Sequence, residues 1–159
     1  VRFQSGGGIS FNGDTAQANA LDDYEEGAWT PGIAFSGNAV GVTYNAAQGF
    51  YTKIGKVVHC NGNMTLSNSG SSTGGVTITG LPFTVDNNLA NTSLEGGGLF
   101  MYQNNMSGTT YGSMTLLGND GQTTASVYRA SATNGQMSGA QHSHIDGNFD
   151  CRFMITYYV

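Results

Sequence analysis

Charge is what this sequence has least of. Charged residues make up 9% of the 159 positions, against about a quarter in ordinary soluble proteins. Five Lys and Arg face ten Asp and Glu, a formal net charge of −5. The cations are scattered, so there is no patch to neutralise nucleic-acid phosphates and no polybasic face for an anionic membrane surface. No apolar run approaches the roughly 18 residues of a membrane-spanning helix. No secretory leader opens the chain, which begins at Val1 and reads as a piece of something longer. With no periodic helical pattern to supply crossover helices, a parallel α/β fold does not fit. Two cysteines, Cys60 and Cys151, are too few for a disulfide framework. They read as buried thiols, and a bridge between them would need adjacent strands and an oxidising history.

What is present is the material of a β protein. Hydrophobic residues make up 38%, and eight Phe, eight Tyr and one Trp are spread along the length, so the composition is not that of a disordered chain. Twenty-five glycines, with many Asn, Ser and Thr, punctuate short apolar runs. The clearest run is 57–66, where Val58, Cys60, Met64 and Leu66 share one face and His59, Asn61, Asn63 and Thr65 the other. Residues 149–159 repeat the pattern, with Phe149, Cys151, Phe153, Ile155 and Tyr157 on one side. Further strands are expected around Ile33 and Phe35, around Val42 and Tyr44, and over 50–54, 76–79, 98–103, 111–117 and 123–130. One buried and one polar face implies antiparallel pairing. The expected fold is an antiparallel β-sandwich, jelly-roll-like. Residues 15–24 are the one plausible helix, capped by Thr15 and rich in Ala. Residues 1–31 read as a shaft or linker with a docking segment, and 32–159 as the β domain.

The stretch from Leu21 to Pro31 concentrates four of the ten acidic residues, the only Trp and one of the two prolines. Trp29 reads as the anchor that docks the lead-in onto the β domain. Asp22, Asp23, Glu25 and Glu26 precede the sheet rather than facing each other across a cleft, which argues against a glycosidase pair. They read as a solvated bend more readily than as a calcium site. No nucleophile elbow, phosphate loop or zinc-protease motif occurs, so an enzyme is not expected. Three Asn-x-Ser/Thr triplets, at Asn63, Asn91 and Asn105, read as chance in so amide-rich a chain.

The wording LDDYEEG-W-TP, then YTKIGKVV, then ITGLPF resembles a C-terminal module of tailed-bacteriophage fibre and virion proteins, over residues 9–85. The resemblance implies a homotrimeric knob on a virion tail fibre or spike. Such a knob adheres to bacterial surface glycan or outer-surface protein and joins other virion tail proteins through its N-terminal side. A purely structural virion part, or a polysaccharide depolymerase, are the other readings.

Sugar is bound by aromatic faces flanked by amides and hydroxyls. The second half offers such mixtures in Tyr102, Gln103, Asn104 and Asn105, in Tyr111, and in Tyr128 and Arg129. Receptor contact is therefore expected around 102–111, 128–134 and 138–147. His142 and His144, two apart on an extended segment, would project to one side. On the threefold axis of a trimer they would gather six imidazoles, enough for a transition metal, with Asp146 behind them.

Overall fold

The computed structural model describes residues 2–3, 8–11, 15–16, 20–21, 23–87, 96–107, 111–131 and 136–159, with the backbone alone at Arg2, Tyr111 and Ser131. Strands β1 (Arg2–Phe3) and β2 (Ile9–Ser10) pair with each other. The remaining strands are β3 (Tyr24–Trp29), β4 (Gly32–Phe35), β5 (Val42–Ile54), β6 (Val57–Ser69), β7 (Val76–Thr79), β8 (Gly96–Met106), β9 (Tyr111–Gly118), β10 (Thr124–Ser131), β11 (Met137–Gly139) and β12 (Ile145–Tyr158). They form a single ten-stranded antiparallel sheet in the order β3-β5-β6-β12-β8-β9-β10-β7-β4, with β11 added beside β10.

This order contains its own closure. β3 and β4 stand at opposite ends of the sheet, yet only Thr30 and Pro31 separate them in the chain. Three Cα steps reach no more than about 11 Å, so the sheet must curl until its first and last strands meet. The Tyr44 hydroxyl of β5 accepts a hydrogen bond from the Ile33 amide of β4 at 3.0 Å and ties the seam. The two layers expected of a sandwich are thus two halves of one curled sheet around a shared core.

Alternation decides what fills that core. Val58, Cys60, Met64 and Leu66 of β6 are fully buried, as are Phe149, Cys151, Phe153, Ile155 and Tyr157 of β12. Each large apolar side chain removed from water contributes about 1.5–3 kcal/mol, and the strictness of the period fixes which face turns in. One row across the sheet is built from aromatics and glycines: Trp29, Gly49, Gly62, Phe153 and Phe100 lie in successive register. A Cβ on Gly49 would collide with the Trp29 indole at 2.3 Å, and one on Gly62 with the Phe153 ring at 2.4 Å. The glycines leave the room into which the two rings lean, edge to face at 6.1 Å. The Trp29 Nε1 donates to the Asn61 carbonyl at 2.9 Å, so the anchor is both buried (7% exposed) and satisfied.

Several boundaries differ from the sequence expectation. Residues 42–54 form one continuous strand, because the interruption at Asn45 is absorbed by register shifts around Tyr44 and Ala46. None of the described residues in 15–24 is helical; Leu21 instead bridges to Ile9, and Tyr24 opens β3. β3 is an edge strand of the main sheet, so its residues, expected in the lead-in, pair with β5 over their full length.

Cys60 and Cys151 sit on neighbouring strands and face inward together. Cys60 stands opposite Ile155, however, and Cys151 opposite Met64. Four residues of strand separate them, about 13 Å, far beyond disulfide reach. Burial pushes both thiols up to about 12, so neither is a nucleophile at neutral pH.

Candidate binding face

The acidic stretch resolves into local partnerships. Asp23 pairs with Lys53, whose ammonium is buried and lies 5.7 Å from the centre of the Phe83 ring. Glu25 accepts from the Tyr51 hydroxyl at 2.5 Å and Glu26 from the Tyr24 hydroxyl at 2.8 Å. Those hydrogen bonds hold both phenols above their ordinary pKa. Asp22 lies outside the described residues; the other three carboxylates, Asp23 just before β3 and Glu25 and Glu26 on it, each have a partner of their own. Among the described residues no three His, Cys, Asp or Glu side chains converge on one point.

The two histidines are placed otherwise than an extended segment would place them. His142–His144 is a single 3₁₀ turn, in which residues two apart point about 120° away from each other. His142 lies edge-on against Phe35, ring centres 4.6 Å apart. His144 is buried at 9% exposure, and its Nδ1 accepts from the Gln141 amide at 2.9 Å. Burial, reinforced by the Arg129 charge, lowers its pKa. The same-side pair expected from spacing is replaced by two rings with separate structural surroundings.

The expected sugar-contact residues also separate. Gln103 is a bracket between β8 and β9: its Nε2 donates to the Gly112 carbonyl and its Oε1 accepts from the Met114 amide. Asn105 adopts a positive φ of 59° and donates from Nδ2 to the Asn148 carbonyl, while Asn104 Oδ1 accepts from the Asn105 amide. Arg129 stands in register with the buried Met114 and turns inward, close enough to act on His144. Tyr128 is half-buried between Thr115 and Gly139. The Tyr111 side chain, and residues 108–110 and 132–135, lie outside the described residues. Of the described members of the group, Tyr102 and Asn104 are exposed, Tyr102 by 42% on the outer face of β8.

That outer face holds a constellation the sequence reading passed over. Register shifts in β8 between its partners Phe100 and Tyr102 leave Met101 and Tyr102 both facing out. Beside them on β12 is Arg152, its guanidinium 4.7 Å over the Tyr102 ring. Beyond Arg152 lie Asn63 and Asn61 on β6, then Gln48 and Phe50 on β5. Phe50 is 62% exposed, an unusual state for an unpartnered phenylalanine in the middle of a strand. The reason is alternation: Gly49 must face inward to admit Trp29, so its neighbour must face out.

Phe50 divides two shallow hollows. One, of about 440 Å³, is lined by Glu26, Gly27, Ala28, Tyr51 and Thr52. The other, of about 320 Å³, runs over the backbone of Gly49 and Gly62 between Phe50 and Met101, with Gln48, Asn61, Asn63 and Arg152 along it. The first contains a carboxylate and the second a guanidinium. In sequence, Gly49-Phe50 opposite Asn61-Gly62-Asn63 carries the only readable hint of this groove, since a glycine pair in register forces the flanking residues outward.

No family model matches the sequence, and no curated protein matches it. Among solved structures, the Dettilon tailspike protein (gp208) is similar in fold. The superposition has a TM-score of 0.65 at 15% identity and covers 85% of this chain and 24% of the tailspike. This chain therefore spans about a quarter of that protein's length. The likeness is one of fold: a curled, all-antiparallel domain.

Proposed function

We propose that this chain is a receptor-binding domain of a bacteriophage tail fibre or spike, a non-catalytic module that adheres to bacterial surface glycan. The observation that carries the reading is the open groove between Phe50 and Arg152. An exposed ring beside amides and a guanidinium is what a sugar's C–H face and hydroxyl edges require. The fold likeness to a tailspike and the LDDYEEG-W-TP wording support the virion setting, as does a surface solubilised by amides rather than charge. Acting as a homotrimer, joined to other tail proteins through its N-terminal side, the domain would present three shallow grooves. Weak contacts then sum by effective concentration into firm attachment.

The test is adsorption competition. Free domain added before the parent particle should reduce adsorption to host cells in a dose-dependent way. Unchanged adsorption at saturating domain would reject the reading. A second reading, a structural virion component, is favoured by Leu99, Met101 and Met154 on the same outer face, since methionine-rich surfaces suit protein contacts. In that case the domain would bind a neighbouring virion protein and leave adsorption untouched.

A further inference from the structure

We propose that the groove between Phe50 and Arg152 is built for an acidic saccharide, a sugar unit whose ring stacks on Phe50 and whose carboxylate pairs with Arg152. This rests on the adhesive reading above and gives it a chemical class of ligand.

Arg152 and the Asn61 amide offer donors along the groove, and Gln48 offers both a donor and an acceptor. Asn61 Oδ1 already accepts from the Phe50 amide at 3.2 Å, which fixes the side-chain amide and leaves its Nδ2 as the outward group. Asn63 lines the same groove, its Oδ1 buried. Arg152 has donors only. Its one polar contact among the described residues is a loose one, 3.9 Å from Nη1 to Asp150 Oδ2, and the other Asp150 oxygen accepts from Thr65 Oγ1 at 2.9 Å. The guanidinium carbon lies 4.7 Å over the centre of the Tyr102 ring. This cation–π contact steadies the guanidinium, and a guanidinium makes two-point contacts with a planar carboxylate. A groove with an aromatic wall and a guanidinium at one end fits a ligand with C–H faces and a concentrated acceptor. A neutral sugar's hydroxyls accept from the amides, but none offers the guanidinium the two-point anionic partner that a carboxylate supplies.

The charge on either side of Phe50 also sets a direction. Glu26 lines the hollow towards β3 and Arg152 the hollow towards β8. A carboxylate is repelled from the first and drawn to the second, so the ligand's acidic edge should point to β8. The chain as a whole carries −5, so an acidic ligand is held here by local geometry and not by the general field.

The test uses calorimetry or amide NMR on the whole domain with a hexuronic-acid oligosaccharide, its carboxyl-reduced counterpart, and glycerol phosphate. The uronate form should bind at least about tenfold more tightly than the reduced form, in keeping with a hydrogen-bonded ion pair, and added salt should narrow the difference. Arg152→Gln should abolish the preference while leaving the melting temperature within a degree or two, and Phe50→Ala should weaken both sugars. Equal binding of acidic and reduced forms, or undiminished preference in Arg152→Gln, overturns the proposal. Tighter binding of glycerol phosphate than of the uronate overturns the carboxylate assignment in favour of phosphate. If wild-type domain blocks adsorption and Arg152→Gln blocks it equally well, the adhesive reading stands and this inference falls. If the wild-type domain blocks nothing, the adhesive reading itself falls.

Discussion

Arg129 and Arg152 make an instructive pair. Each lies on a strand next to tyrosine, at Tyr128 and Tyr102 respectively, and each has amides or histidines nearby in the sequence or in register. Arg129 points inward beside His144, its Nε buried, under the 3₁₀ turn that follows β11. Arg152 points outward over Tyr102 into an open groove. Residue type does not separate the two. The side of the sheet does, and side is set by register with strands far away in the chain. The first region is joined to the core and should report on stability; the second is loosely held and should report on binding.

The comparison is sharpest where the core itself is cut. Phe153→Ala would empty the space beside Trp29, Phe100 and Gly62 and should cost about 3–5 kcal/mol, read as a large fall in melting temperature. Gly62→Ala, which puts a Cβ 2.4 Å from the Phe153 ring, should cost about 1–3 kcal/mol through overpacking. Arg129→Ala should follow at about 1–3 kcal/mol, as expected for removing a partly buried polar partner. Arg152→Ala should stay within about 0.5 kcal/mol. Equal destabilisation by the two arginine substitutions would erase the distinction drawn between the two regions.

A pH series separates them more gently. The His144 pKa is lowered in the folded state, first by burial and then by Arg129. Above the unfolded value of about 6.5 both states are neutral and stability is at its full level. As pH falls from there towards the depressed folded pKa, the unfolded chain takes up a proton that the folded one refuses, and stability declines. Melting temperature should drop between neutral pH and the region where carboxylates begin to titrate, and His144→Gln should flatten that drop. Arg152→Gln should leave it unchanged. The smallest effect belongs to the thiols. With both pKa values pushed up to about 12 and both side chains fully buried, neither Cys60 nor Cys151 should react with a thiol reagent until denaturant is added. Rapid labelling of either in the folded domain would contradict the core assigned here.

How much of this was legible in the sequence follows from the length scale of each feature. β6 and β12 were legible, because strict alternation in Val58 to Leu66 and Phe149 to Tyr157 is a local pattern with one solution. β7 was legible from Val76 to Thr79, since Gly75 and Gly80 bracket it. The curl was not, although its cause is local: two residues joining strands that the pairing places at opposite edges. The groove was least legible. Gln48, Asn61, Met101 and Arg152 come together only through the register of four strands, and Met101 faces outward only because β8 shifts its register there. Gln103 and Asn105 look like sugar ligands in composition, but both are engaged in backbone hydrogen bonds that no spacing rule reveals. The conformation of the histidine segment was hidden for a related reason. A single 3₁₀ turn rotates i+2 away from i, whereas an extended segment would have aligned them.

Mapping host surface polysaccharide onto the domain by backbone amide NMR tests the central claim most directly. Perturbed amides should cluster at Gln48 to Phe50, Asn61 to Asn63, Met101, Tyr102 and Arg152, on the outer face of β5, β6, β12 and β8. A cluster instead around Tyr128, Arg129 and the turn at His142 and His144, with the Phe50 face silent, would contradict it.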